Sequence, residues 1–136
     1  MKTFEKTNYE YQQMKFAIQK ILNSEIAFPF KLSYLLNKNF DILSNHLKTY
    51  EKEVGKLIQE VGEKDEDGQL IIDKDGKINI IKSEIERYSK ERGSLDSIIE
   101  LLSLHTVKED QIDYFDNIET LTPMEVKCLT YLIEEE

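Results

Sequence analysis

The sequence predicts a mainly α-helical protein built around a long antiparallel helical hairpin. Three observations carry that expectation: apolar residues recur at three- and four-residue steps, Gly and Pro are scarce, and one Asp-Gly lies between two β-branched runs. Leu32, Leu36, Phe40, Leu43, Leu47, Tyr50, Val54, Leu57 and Val61 form the strongest series. Their steps average close to 3.5 residues, the period of a coiled-coil seam. A helix over 30–61 follows, about 45 Å long at 1.5 Å per residue. Ile81, Ile85, Tyr88, Arg92, Leu95, Ile99 and Leu102 repeat the same period, predicting a helix over 82–104.

Between these helices, residues 62–68 hold no apolar side chain and read as a link. Leu70-Ile71-Ile72 and Ile78-Asn79-Ile80-Ile81 flank Asp75-Gly76, which predicts a β-hairpin over 69–81 at the tip of the helical pair. Tyr11, Met14, Ile18, Ile21 and Leu22 give an N-terminal amphipathic helix over 8–24, ended by the Phe28-Pro29 turn. Thr122-Pro123-Met124-Glu125 is a helix start, with a capping Thr, Pro at the first helical position and a Glu to close a capping box. It opens a last helix over 122–133. A chain of 136 residues is expected to be a single domain, 1–136.

Composition excludes more than it assigns. No apolar stretch approaches the ~20 residues that span a bilayer, and the first ten residues lack the apolar core of a secretory signal. The single Cys128 fits a reducing cytoplasm. Net charge is −9, with residues 1–64 at +2 and residues 108–136 at −7. So acidic a chain is poorly suited to bind DNA or RNA phosphates directly. One Cys and two His offer no zinc spacing, and there is no nucleophile elbow and no phosphate loop. Read as calcium loops, residues 63–74 and 71–82 both place Lys where a bidentate carboxylate is needed. No metal, no cofactor and no catalytic residue is expected, and the protein is not read as an enzyme.

Two departures from pattern supply candidate ligand-binding residues. Phe30, Lys31, Tyr34 and Lys38 interleave aromatic and basic groups beside Pro29, away from the Leu32 and Leu36 seam. That face either packs on the first helix or meets a partner, and a nucleotide would find there a ring to stack on and a cation for its phosphate. Arg92 occupies a seam position opposite Tyr50 in an antiparallel hairpin. It either snorkels to the surface or forms an ion pair with Glu51 or Glu53 that sets the register, or else, with Tyr50, it meets an anionic or aromatic ligand.

Phe28-Pro29-Phe30-Lys31-Leu32-Ser33-Tyr34, Gly62-Glu63-Lys64-Asp65-Glu66-Asp67-Gly68 and Leu121-Thr122-Pro123-Met124-Glu125, in that order, resemble a family of small uncharacterised proteins of phages and prophages from low-GC Gram-positive bacteria. The resemblance implies an accessory protein in the host bacterial cytoplasm and brings no activity with it. Three functions fit that setting. The first is antagonism of host defence by binding, through sequestration of a small nucleotide signal or through a host defence protein. The second is virion head or tail assembly by protein–protein contacts, and the third is acidic inhibition of a host DNA-binding protein. A homo-oligomer is expected, because the thirty-residue seam exceeds what the shorter helix can cover.

Overall fold

The computed structural model describes residues 1–24, 30–108 and 122–134. The Pro29 turn read from the sequence lies outside them. The protein is mainly helical, with a small two-stranded antiparallel sheet. In chain order the elements are β1 (Lys2–Thr7), α1 (Asn8–Leu22), α2 (Phe30–His46), α3 (Lys48–Val61), α4 (Ile85–Asp96), β2 (Ile99–Leu104), β3 (Val107–Lys108), α5 (Pro123–Tyr131) and β4 (Ile133–Glu134). A single 3-10 turn, Lys82–Glu84, leads into α4. The chain divides into two compact units, residues 1–47 with 99–136, and residues 48–98.

In the first unit, α1 starts at a complete capping box. Thr7 accepts from the Glu10 N–H while Glu10 Oε1 accepts from the Thr7 N–H at 3.1 Å. One face of α1 buries Tyr11, Met14, Ala17, Ile18 and Ile21. It packs against α2, whose Leu32, Leu36 and Leu43 are completely buried, and against α5, which contributes Cys128 and Leu129. Strands β1 and β2 pair antiparallel, Lys2 opposite Leu104 through Thr7 opposite Ile99. The Tyr11 hydroxyl ties helix to sheet, lying 2.9 Å from the Phe4 carbonyl and 2.8 Å from that of Glu100 as a shared donor. Asn39, fully buried, clamps the chain after β2: its Nδ2 donates to the His105 carbonyl at 2.9 Å and its Oδ1 accepts from the His105 N–H at 2.8 Å. β3 and β4 form a two-residue parallel pair.

In the second unit α3 and α4 pack together, with Tyr50 reaching Asp96 and Glu60 reaching Arg87. Those pairings make them antiparallel neighbours over a short span. The long hairpin expected over 30–104 is not what forms. Helix 30–61 is two elements, parted at Leu47, and the helix expected over 82–104 ends at Asp96. Residues 99–104 are strand instead. Ile99 and Leu101 point outward, and Leu104 inward on the opposite set, so the same residues satisfy a period of two. β1 supplies their partner.

The expected β-hairpin over 69–81 also differs. Residues 61–81 form a three-stretch arrangement joined by isolated bridges, Gly62 to Ile80, Lys64 to Leu70 and Ile72 to Ile78, without continuous strands. The link 62–68 is part of it, since the Glu63 N–H donates to Asn79 O and its carbonyl accepts from the Ile71 N–H, both at 2.9 Å. Two like turns close it. Asp65 Oδ1 accepts from the Asp67 and Gln69 N–H groups, and Asp73 Oδ1 accepts from those of Asp75 and Lys77. Gly68 and Gly76 follow at φ of 79° and 77°, where an L side chain is strained.

Candidate functional site

The sequence-selected residues fall into two places. Phe30, Lys31, Tyr34 and Lys38 lie on the outer side of α2. A spacing of four residues stacks Phe30, Tyr34 and Lys38 along one stripe of the helix. Phe30 is 94% exposed and Tyr34 60% exposed, so α1 does not cover them. The Lys38 ammonium stands 5.5 Å from the Tyr34 ring centroid, a distance at which a cation is attracted to the ring face.

Tyr50 and Arg92 belong to the other unit, beside Tyr88 and Asp96. The carboxylate facing Arg92 is Asp96, one turn along the same helix, where sequence reasoning named Glu51 or Glu53. Arg92 Nε donates to Asp96 Oδ1 at 3.1 Å and its Nη1 donates to the Tyr88 hydroxyl at 3.1 Å. Tyr50 donates its hydroxyl to the same Asp96 oxygen. Burial, together with that bond, pushes the Tyr50 phenol up to about 12, while Arg92 opposes the rise. The four groups engage one another, a partly buried polar cluster of the kind that fixes one packing between two helices.

A groove of about 370 Å³ lies between α1 and α5 in the first unit. Buried Met14 and Cys128 with Pro123 and half-exposed Met124 give its apolar surface, and Tyr9 and Tyr131 its aromatic edges. Three charged groups complete it. Lys6, whose side chain is only 13% exposed, places its ammonium 3.8 Å from the Tyr131 ring centroid and 3.8 Å from Glu10 Oε2. Lys127 stands 5.7 Å from the same ring. Glu10 is held ionised below the usual carboxylate range, first by the Thr7 backbone N–H and further by Lys6 and Lys127. Burial pushes the Cys128 thiol up to about 12, so it stays neutral.

No family model, curated protein or solved structure matches the chain. The reading of its site therefore rests on this geometry alone.

Sequence reasoning missed the groove because its walls come from opposite ends of the chain. One signal was present: Lys6-x-x-Tyr9-Glu10 and Met124-x-x-Lys127-Cys128 each overlap a capping box, Thr7 with Glu10 and Thr122 with Glu125. Among the described residues no three His, Cys, Asp or Glu side chains gather as a metal site. In the second unit Arg87 is surrounded by Glu60, Glu84 and Glu91 along the surface of α3 and α4, which keeps it cationic and internally matched. No helix of the described residues is long and apolar enough to cross a membrane.

Proposed function

We propose that this is a non-enzymatic phage accessory protein that antagonises bacterial host defence by binding, in the host cytoplasm. The α2 stripe of Phe30, Lys31, Tyr34 and Lys38 is its binding face, and a small nucleotide signal is its ligand. The observation that carries this reading is the exposure of two aromatic rings one turn apart, with an ammonium over the second. Two exposed rings one turn apart offer a base two faces on which to stack. A base stacked on such a ring gains roughly 1–3 kcal/mol, and Lys31 and Lys38 supply fixed charge for a phosphate. One helix face is flat and a small ligand needs a concave site. A second copy of α2, in a homo-oligomer, would supply the opposite wall. Tyr50 and Arg92 are left out of this site because Asp96 already engages both.

A second reading, virion assembly through protein–protein contacts, draws on a different observation. Ile99 and Leu101 on the outer face of β2 are 62% and 68% exposed, an apolar patch suited to another protein. Calorimetry against cyclic and linear nucleotides separates the two. Nucleotide sequestration requires heat with the wild type that is lost in Tyr34→Ala and Lys38→Ala at unchanged helicity. Absence of heat for every nucleotide overturns it, and co-purification with a head or tail protein would then support assembly.

A further inference from the structure

We infer that the groove between α1 and α5 is a second, separate binding site, for a small planar apolar molecule carrying one anionic head group. Three features specify that ligand. First, the volume of about 370 Å³ falls at the lower end of small-molecule sites, enough for a two-ring compound. Second, the lining of Met14, Met124, Pro123 and Cys128 is apolar and adaptable, thioethers being soft partners for flat rings. Burial keeps the thiol neutral, so it adds no negative charge to repel an anion. Third, charge is unbalanced. Lys6 and Lys127 bring two positive charges to the lining and Glu10 one negative charge. Glu10 is already committed, to the Thr7 cap and to Lys6. Among the described residues of the lining, positive charges outnumber negative by one, and Lys127 is the more exposed of the two cations.

Tyr131 organises the pair, because both ammonium groups lie near its ring, at 3.8 and 5.7 Å from the centroid. A cation held over a ring keeps a fixed place without the neutralisation an acid would bring. An anion arriving beside it gains a charge-assisted contact in a setting partly withdrawn from water. Carboxylate and phosphate monoester share that chemistry.

The chain's methionines make the test direct. Of the three, Met14 and Met124 line the groove and Met1 does not. Protein carrying 13C-methyl methionine is titrated with 2-naphthoate, with neutral 2-naphthamide and with AMP. Shifts of the Met14 and Met124 methyl signals with 2-naphthoate, a Met1 signal that stays in place, and about tenfold weaker binding of the amide are expected. Lys127→Gln should bring 2-naphthoate down to the affinity of the amide, and Lys127→Arg should restore it. AMP acting like 2-naphthoate assigns the site to nucleotides, and AMP without effect assigns it to aryl acids. Equal affinity for acid and amide, an unchanged affinity in Lys127→Gln, or two unmoved groove methyls at millimolar 2-naphthoate would overturn the inference. Tyr34→Ala, which disables the α2 face, should leave this titration unchanged, so the two sites fail separately.

Discussion

Single side chains settle most of what is specific here. Asn39 is an amide with no access to water, and both ends of it pair with the His105 backbone. Asn39→Ala leaves the partly buried His105 N–H and carbonyl without this partner, at an expected cost of about 1–3 kcal/mol by urea denaturation. Tyr50 gives a pH signature. Its phenol titrates near 10 in an unfolded chain and about 12 when folded. The folded state therefore holds its proton where the unfolded state has lost it, and stability present below pH 10 falls as pH rises toward 12. Tyr50→Phe should flatten that fall while costing roughly 1 kcal/mol at neutral pH, as followed by thermal melts across the range. Cys128, its thiol also raised to about 12, should resist iodoacetamide in the folded protein at pH 8 and react once urea is added.

At the scale of elements, local signals and partners contend for the same residues. Two helices begin at full capping boxes, and Thr7→Ala or Thr122→Ala should each cost about 1 kcal/mol, read as lost helicity near the melting temperature. The cap at Thr122 was readable from four residues. β2 was not. Leu95, Ile99 and Leu102 continue a helical period, and only a strand 100 residues away gives 99–104 a reason to extend. β1 itself shows one buried apolar residue, Phe4, too few for an alternation to be seen. In the second unit the D-x-D-G repeat at 65–68 and 73–76 was legible as turns, while the pairing of Glu63 with both later stretches was not. Gly62 is where the stretches come closest. A Cβ there would meet Leu70 Cδ2 at 2.6 Å and Ile58 O at 2.8 Å. Gly62→Ala should destabilise this unit by about 1–3 kcal/mol, whereas Gly55→Ala, with nothing within 4 Å, should be neutral or stabilising.

For the molecule as a whole, the two units differ in how much they bury. α1 alone buries six residues, while α4 buries none and leans on half-buried Tyr88, Arg92 and Leu95. Local opening follows buried contact, so amides of α4 should exchange with deuterium well before those of α1. The proposed oligomer also belongs to this scale. Light scattering at micromolar concentration should give a multiple of 16.0 kDa, and Phe30→Ser with Tyr34→Ser should shift it to the single-chain mass.

The sequence by itself determined that the protein is mainly helical and where α1 and α5 begin. Those are properties of spacing and capping, written in neighbouring residues. Tertiary structure decided that residues 30–61 divide at Leu47, that 99–104 are strand, and that Arg92 turns to Asp96. It also brought Lys6 and Tyr9 beside Lys127 and Tyr131. Each of these depends on a partner far along the chain, and an apolar or charged residue takes whichever burial or pairing the assembled neighbours offer, a choice that local spacing does not encode.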